Sequence, residues 1–323
     1  MPKNTSDIHV LMEQIVESDH AVPEGVDPEA LIPQLEDLLG VEDQLARERS
    51  YEILEEWAVH GHFPDDTLIA LGDRMASNLT KGLGEEGTDS VFLRSFSALV
   101  LCGPICADEL FGAGLGGSRT AFLSSERVDA WRGAAVESLL GEKDLRAFVD
   151  GKGWAHAAAH VGDALHQFAR SPHTDAAGLE QILDAISGRL RTPSDCVFVH
   201  NEGGRLMRAA YCALLRRELP TERVLSWIEG FGTTADGRTW QWNGIYNLEF
   251  CDHRAVNAKA NVCDALYTLY FYLKLGLRRG QAIDEASRVY FAFYDRPVPD
   301  REVLLEALVP VLQRLNHGLP QVE

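Results

Sequence analysis

The sequence predicts an all-α protein, and three observations support this fold class. Apolar residues recur at positions i, i+3, i+4 and i+7 in nearly every segment, which is the period of an amphipathic helix, whereas strict alternation is almost absent. Capping signals precede several of these segments, as at Asp27 and Pro28, where a capping residue is followed by proline in the first turn. Short joints that carry glycine or proline separate the segments, so we expect about a dozen helices.

The predicted helices follow one another along the whole chain. In order they cover residues 7–18, 28–40, 43–60, 65–81, 89–101, 126–140, 152–170, 175–190, 203–218, 221–230, 252–275, 281–294 and 300–315. Helix pairs of comparable length joined by short turns favour a HEAT-like or irregular α-solenoid, with a compact helical bundle as the alternative. No linker or low-complexity segment interrupts the pattern, so we expect a single domain over residues 1–323.

Composition excludes several classes of partner. The formal net charge is −19 over 323 residues, and the acidic residues are spread along the chain, so a clustered basic face for nucleic acid is not expected. The first twenty residues lack the apolar core of a signal peptide, and no window approaches the apolar length of a membrane span. The six cysteines form no CxxC pair. We therefore predict a cytoplasmic protein with no nucleic acid and no membrane partner.

One predicted helix, residues 152–170, sorts its residues into two different stripes. Trp154 begins an apolar stripe expected to be core, whereas His156, His160 and Asp163 project from nearly the opposite face, one turn apart. Two imidazoles and a carboxylate at this spacing are within reach of one divalent ion, so zinc, iron or manganese is a candidate cofactor. The common alternative is the solvated face of an ordinary amphipathic helix.

Further candidate residues lie on other helices. His253, Asn257 and Asp264 share a polar face of the helix at 252–275, and together with the first stripe they would line a groove if the two helices face each other. Arg94 lies in a very apolar run, so we expect it either to pair with a buried carboxylate of Asp89, Asp108 or Asp144 or to bind an anionic substrate.

The loop at 232–247 carries three aromatic residues, Trp240, Trp242 and Tyr246. Such residues either cap a pocket or pin the loop to the body of the protein. A separate pair, Cys102 and Cys106, is spaced one helical turn apart, but Pro104 is expected to interrupt the helix between them, which argues against a shared metal.

Three strings of the sequence resemble a known bacterial family: TDSVFLRSFSALVL at 88–101, EKDLRAFVDGKGWAHAAAHVGDAL at 142–165 and NAKANVCDALYTLYFYL at 257–273. They are similar to the domain of unknown function numbered 2785, over most of the chain. The resemblance implies an all-helical protein of unassigned activity and supplies no catalytic residues.

Two functional hypotheses therefore remain open. The first is an α-solenoid that binds a peptide, a protein or a small molecule in a concave groove lined by polar helix stripes. The second is a hydrolase or oxygenase that uses a divalent metal at His156, His160 and Asp163, with Arg94 or Asn257 orienting the substrate. The sequence does not decide whether the protein is an enzyme.

Overall fold

The computed structural model describes residues 5–240, 252–277, 280, 282–316 and 319, and over these residues it confirms the all-α prediction. Of the described residues, 66% are helical, in thirteen α-helices and a short 3-10 helix, and a two-stranded antiparallel sheet is also present. The helices are α1 Thr5–Glu17, α2 Pro28–Leu38, α3 Gln44–Val59, α4 Asp65–Asn78, α5 Ser90–Gly112, α6 Ser125–Gly141, α7 Ala157–Arg170, α8 Ala176–Arg191, α9 Glu202–Leu215, α10 Thr221–Gly230, α11 His253–Leu275, α12 Glu285–Ala292 and α13 Arg301–Leu315, and the strands are β1 Phe148–Val149 and β2 Gly153–Trp154.

Several helix starts predicted from capping residues are confirmed. The Asp27 side chain accepts a hydrogen bond from the backbone N–H of Glu29 at the start of α2, and Asp43 does the same for Ala46 in α3. An N-cap side chain satisfies a backbone donor that the helix itself leaves without an acceptor. This is why the boundaries follow the sequence closely at these positions.

The chain divides into two compact units, unit 1 at Met1–His173 and unit 2 at Thr174–Glu323. Unit 1 contains α1 to α7 and the small sheet, and unit 2 contains α8 to α13. The single-domain expectation and the choice between a solenoid and a compact bundle remain predictions.

Helix α5 is the centre of unit 1. It packs against α3, α4 and α7, and nearly all of its residues are buried. The expected interruption at Pro104 is wrong, since α5 continues from Ser90 to Gly112 with Pro104 inside it. The predicted helix at 89–101 was therefore too short: packing on several sides stabilises the helix beyond the proline, at the cost of one backbone hydrogen bond.

By length and composition, α5 is also the one described helix that could cross a membrane. Its most apolar window has a mean hydropathy of 1.6. By length and composition, this helix therefore contradicts the expectation that no segment approaches a membrane span. However, 83% of that window is buried inside the protein. Such burial is typical of the core helix of a soluble protein.

In unit 2, α11 packs most extensively against other helices. It packs against α8, α9 and α13, and α10 packs against α8 and α13. Helix α12 differs from the others because it has no buried residue, although Asp284 and Ser287 form a capping box at its start. Its short length and weak burial explain why the predicted helix at 281–294 exceeds the observed one.

Two glycines of unit 1 should respond in opposite ways to replacement by alanine. A Cβ at Gly72 in α4 would overlap the indole of Trp131 in α6, whereas a Cβ at Gly133 in α6 would meet no atom within 4 Å. We expect Gly72→Ala to destabilise the protein by about 1–3 kcal/mol through overpacking. Gly133→Ala should stabilise it by up to about 1 kcal/mol, because alanine is the better helix former.

Urea unfolding followed by circular dichroism measures both changes. Equal effects of the two substitutions would contradict the close contact between α4 and Trp131. Because both replacements add one methyl group to a helical glycine, each serves as the control for the other.

Candidate functional site

The helix that carries the first predicted stripe starts later than the sequence indicated. Residues 148–154 form the β1–β2 hairpin, in which Phe148 is paired with Trp154, and α7 begins only at Ala157. His156 precedes the helix in the left-handed conformation, with φ of 53°. The predicted start at Lys152 is wrong because Gly151 and Gly153 adopt positive φ values that build a turn between the strands.

His156 and His160 nevertheless lie side by side, as their spacing predicted. Their ring centroids are 5.5 Å apart. The Ser95 hydroxyl donates to the carbonyl oxygen of Ala155, and its oxygen lies 2.7 Å from His160 Nδ1. Because a hydroxyl has a single hydrogen to donate, we assign the hydrogen of this second bond to His160 Nδ1.

The two imidazoles belong to a continuous ladder of rings inside unit 1. Successive centroids are separated by 5.0 to 5.8 Å, which is the range of favourable aromatic contacts. The rings, in order of contact, belong to Phe148, Trp154, His156, His160, Phe96 and Tyr51. Trp154, expected to be fully core, is half-buried and stacks on His156. The imidazoles therefore pack as rings between aromatic neighbours.

Asp163 completes the predicted metal set, and it too is buried, as is every residue of α7. The solvated face that the sequence allowed is therefore not observed. Across the described residues, no group of three or more His, Cys, Asp or Glu side chains is arranged to hold a metal ion. The alternative of a metal-dependent hydrolase or oxygenase is thus not favoured.

Arg94 forms a buried ion pair, and its partner is Glu142. Nε and Nη2 donate to the two Glu142 carboxylate oxygens at 2.7 and 2.9 Å, and Nη1 donates to the carbonyl oxygens of Lys81 and Gly82 at 3.0 Å. The expected partners Asp89, Asp108 and Asp144 were therefore the wrong carboxylates. Glu142 lies just after α6, so its approach to α5 depends on how the two helices pack. The guanidinium holds α5 to the segments around it.

The polar face of α11 holds a loop of unit 2. Asn257 Nδ2 donates to the carbonyl oxygen of Ser194 at 3.1 Å, and the Asn261 side chain bonds both Phe198 N, at 2.7 Å, and the Cys196 carbonyl oxygen, at 3.1 Å. His253 Nε2 lies 3.0 Å from Asp195 Oδ1 at the surface. Most of this stripe is therefore used to fix the segment at 194–198.

Asp264, at the far end of that stripe, is exposed. Partial burial of the carboxyl group and the nearby carboxylate of Glu202 raise the pKa of Asp264 above its usual value. Its Oδ2 lies close to Gly203 at the start of α9, 3.4 Å from the position of a Cβ there. The structure thus brings Asp264 to Glu202 and not to the segment that Asn257 binds.

Trp240 is buried, and its Nε1 donates to the carbonyl oxygen of Phe231 at 2.8 Å. The aromatic side chain therefore pins the loop, which was one of the two interpretations of this segment. Trp242 and Tyr246 lie outside the described residues.

The two predicted stripes belong to different units. The one from His156 to Asp163 is in unit 1, and the one from His253 to Asp264 is in unit 2. Their juxtaposition across a groove therefore remains a prediction.

A groove that the sequence did not indicate runs along one side of α4. Its volume is about 580 Å³. Its lining comes from the end of α2, from α4 and from one residue of α5, and consists of Glu36, Asp37, Gly40, Val41, Asp73, Arg74, Ser77, Asn78, Lys81 and Leu93. Arg74 Nε donates to Glu36 at 2.8 Å, and Lys81 Nζ donates to Asn78 Oδ1 at 2.7 Å. Burial raises the pKa of Glu36 although Arg74 opposes the rise.

A second groove, of about 550 Å³, lies on the other side of α4, against α6. Residues spaced at i, i+3, i+4 and i+7 line it from both sides, together with Arg127 and Trp131: Asp73, Ala76 and Ser77 from α4 with Thr80 just after it, and Ala130, Gly133, Ala134 and Glu137 from α6. The small residues of α6 leave the space between the helices open. This spacing is visible in the sequence, but it indicates a groove only once α6 is known to lie beside α4.

Asp73 and Ser77 line both grooves, so they form the ridge between them. Asp73 also fixes the ridge, because its Oδ1 accepts a hydrogen bond from Trp131 Nε1 at 2.8 Å and lies 3.5 Å from Arg127 Nε. Ser77 is exposed. We call the ridge and its two grooves the α4 surface.

A family model described as a protein of unknown function (DUF2785) matches residues 79–267, which is more than half of the chain. The matched segment begins just after α4 and ends within α11, so it contains α5, the hairpin and α7. No curated protein and no solved structure matches the chain.

The Arg94–Glu142 pair should show strong coupling. Each of Arg94→Met and Glu142→Gln is expected to destabilise the protein by about 3 kcal/mol or more, because either change leaves one group of the buried pair without its partner. The double variant should lose less than the sum of the two single losses.

Urea unfolding measures all three variants. Arg238→Met, which removes an exposed ion pair with Asp236, is the control and should cost less than about 1 kcal/mol. Additive losses for Arg94 and Glu142 would show that the pair does not act as a unit.

Proposed function

The chain belongs to the DUF2785 family of proteins of unknown function, and from this premise we propose that it is a helical binding protein whose α4 surface receives an extended peptide segment of a partner protein. The observation that carries the proposal is the pair of grooves on the two sides of α4. Each follows the helix for about two turns, which is about 10 Å and matches three extended residues of a peptide.

The lining favours a peptide over a small molecule. Pockets for small molecules are mostly apolar and enclose their ligand, whereas these grooves are lined largely by charged residues, small residues and hydroxyl groups. A peptide backbone offers N–H and carbonyl groups that such a lining can bond. Both signs of charge are present, so binding is expected to weaken as ionic strength rises.

The other candidate residues are used by the protein's own structure, so we place the binding surface elsewhere. Arg94, Asn257 and Trp240, which the sequence offered as substrate contacts, each bond to the protein itself. A HEAT-like solenoid that presents such a surface remains the architecture we propose. We also propose a cytoplasmic location, with which described cysteines that form no disulfide are compatible.

The family match covers only part of the proposed binding surface. The α6 wall of the second groove lies in the segment matched by the family model, whereas α2 and α4 precede it. A relative that shares only the matched segment would therefore offer part of the α4 surface.

Peptide selection tests the proposal. A display library of random dodecapeptides is selected on the full-length protein, and the affinities of enriched peptides are measured by fluorescence anisotropy for wild type, Gly133→Trp and Gly133→Ala. We expect Gly133→Trp to weaken binding by at least about tenfold, because the indole fills the second groove, and Gly133→Ala to bind as wild type does.

A Cβ at Gly133 meets no atom within 4 Å, so Gly133→Ala should leave the fold unchanged, and thermal melts verify that Gly133→Trp is folded as well. Ser77→Trp, on the shared ridge, should weaken the same peptides, with Ser77→Ala as its control. The absence of any enriched peptide, or equal binding to Gly133→Trp and wild type, would reject the α4 surface as the binding site.

A further inference from the structure

The second groove of the α4 surface, between α4 and α6, has walls made largely of small residues. Ala130, Gly133 and Ala134 line it from α6, and Ala76 lines it from α4. A Cβ at Gly133 would meet no atom within 4 Å, so the space beside this wall is open. Because no side chain there is larger than a methyl group, the backbone of a bound peptide can approach both helices closely. The middle of the groove therefore favours a peptide residue with a small side chain.

The two helices that form this groove run in the same direction. Near their starts, the Trp131 indole of α6 lies beside Gly72 and donates to Asp73 of α4. Near their ends, a Cβ at Gly141, the last residue of α6, would lie 2.8 Å from Leu83 Cδ2, shortly after α4. The C-terminal ends of both helices therefore lie at the same end of the groove. Their dipoles give that end a negative potential.

Glu137 lies toward this end of the groove, one turn before the last residue of α6, and its side chain is exposed. The two other charged residues of the lining, Asp73 and Arg127, are 3.5 Å apart and pair with each other. Among the residues that the structure describes, no cation forms an ion pair with Glu137.

The sequence explains why Glu137 has no partner on its own helix. A cation on α6 could reach it only from positions three or four residues away. These positions carry no charge: they are Gly133, Ala134, Leu140 and Gly141. The nearest cation of the α4 side, Lys81, lines the other groove, where its Nζ donates to Asn78 Oδ1.

We propose that the segment received by the α4 surface is basic, with a lysine or arginine side chain that pairs with Glu137 and an adjoining glycine, alanine or serine that lies against Gly133. This inference rests on the proposed function, because it names the chemistry of the peptide that the same surface binds. The formal net charge of −19 attracts a cationic segment at longer range. An acidic segment would meet like charge both at Glu137 and at the two helix ends.

The test uses defined heptapeptides and the full-length protein. The parent peptide is SAGKGAS with blocked termini, and three analogues carry arginine, norleucine or glutamate in place of lysine. Norleucine keeps the length of the side chain and removes its charge. Binding is measured by chemical-shift titration of ¹⁵N-labelled protein. We expect the lysine and arginine peptides to bind at least about fivefold more tightly than the norleucine peptide, with shifts in residues 76–80 and 130–137.

Substitutions at Glu137 separate a specific ion pair from general attraction. Glu137→Gln should remove the preference for lysine over norleucine, and Glu137→Lys should reverse it in favour of the glutamate peptide. Glu24→Gln is the control, because Glu24 is exposed, lines neither groove and changes the net charge by the same amount. It should keep the preference of wild type. Thermal melts verify that each variant is folded.

The peptides selected by display distinguish a failure of this inference from a failure of the proposed function. Selected peptides that lose affinity for Gly133→Trp but not for Glu137→Gln would overturn the basic partner and leave the α4 surface as the binding site. A preference for lysine that is equal in wild type, Glu137→Gln and Glu24→Gln, or heptapeptides that shift no residue of the groove, would also overturn it. Selected peptides that bind Gly133→Trp as tightly as wild type would reject both proposals.

Discussion

The burial of α5 on several sides is the constraint on which unit 1 depends. An apolar helix in this position has no solvent to satisfy its polar groups, so each needs a partner from a neighbouring segment. Arg94 finds Glu142, Ser97 accepts from Asn78, and Asp108 accepts from two backbone N–H groups in the loop after α5. Ser95 reaches the turn before α7. These bonds attach α5 to its neighbours in one register, because a shift of any neighbouring segment leaves a buried polar group unsatisfied.

The helices could be predicted from the sequence because their signals are local. Apolar periodicity and capping residues act within a few positions, and this is why α3 and α10 were placed to within a residue or two at each end. The β1–β2 hairpin could not be predicted, since each strand is only two residues long and the hairpin depends on two glycines just before a run of alanines that favours a helix. The continuation of α5 past Pro104 was missed for a related reason: the packing that stabilises it comes from α3, α4 and α7, which are distant in sequence.

The candidate site was harder to predict, because a polar stripe has the same pattern whether it faces water, a ligand or a buried partner. The spacing correctly placed His156 beside His160, but only the fold shows that Ser95 and aromatic rings surround them. The amides of Asn257 and Asn261 illustrate the same difficulty, since they bond backbone groups about sixty residues earlier in the chain. The second groove beside α4 requires the pairing of α4 with α6, and the two helices are separated by the whole of α5.

The composition of α5 has a consequence for synthesis of the chain. The helix is long and apolar enough to be taken for a membrane segment, and α7, one of the helices that cover it, ends about sixty residues later. At typical translation rates that interval lasts several seconds. During this time a nascent chain exposes its most apolar segment to chaperones and to the membrane-targeting machinery. For unit 1 to fold, α7 must therefore be synthesised before these factors bind α5 irreversibly. In the folded protein, α5 is buried and no longer accessible to them.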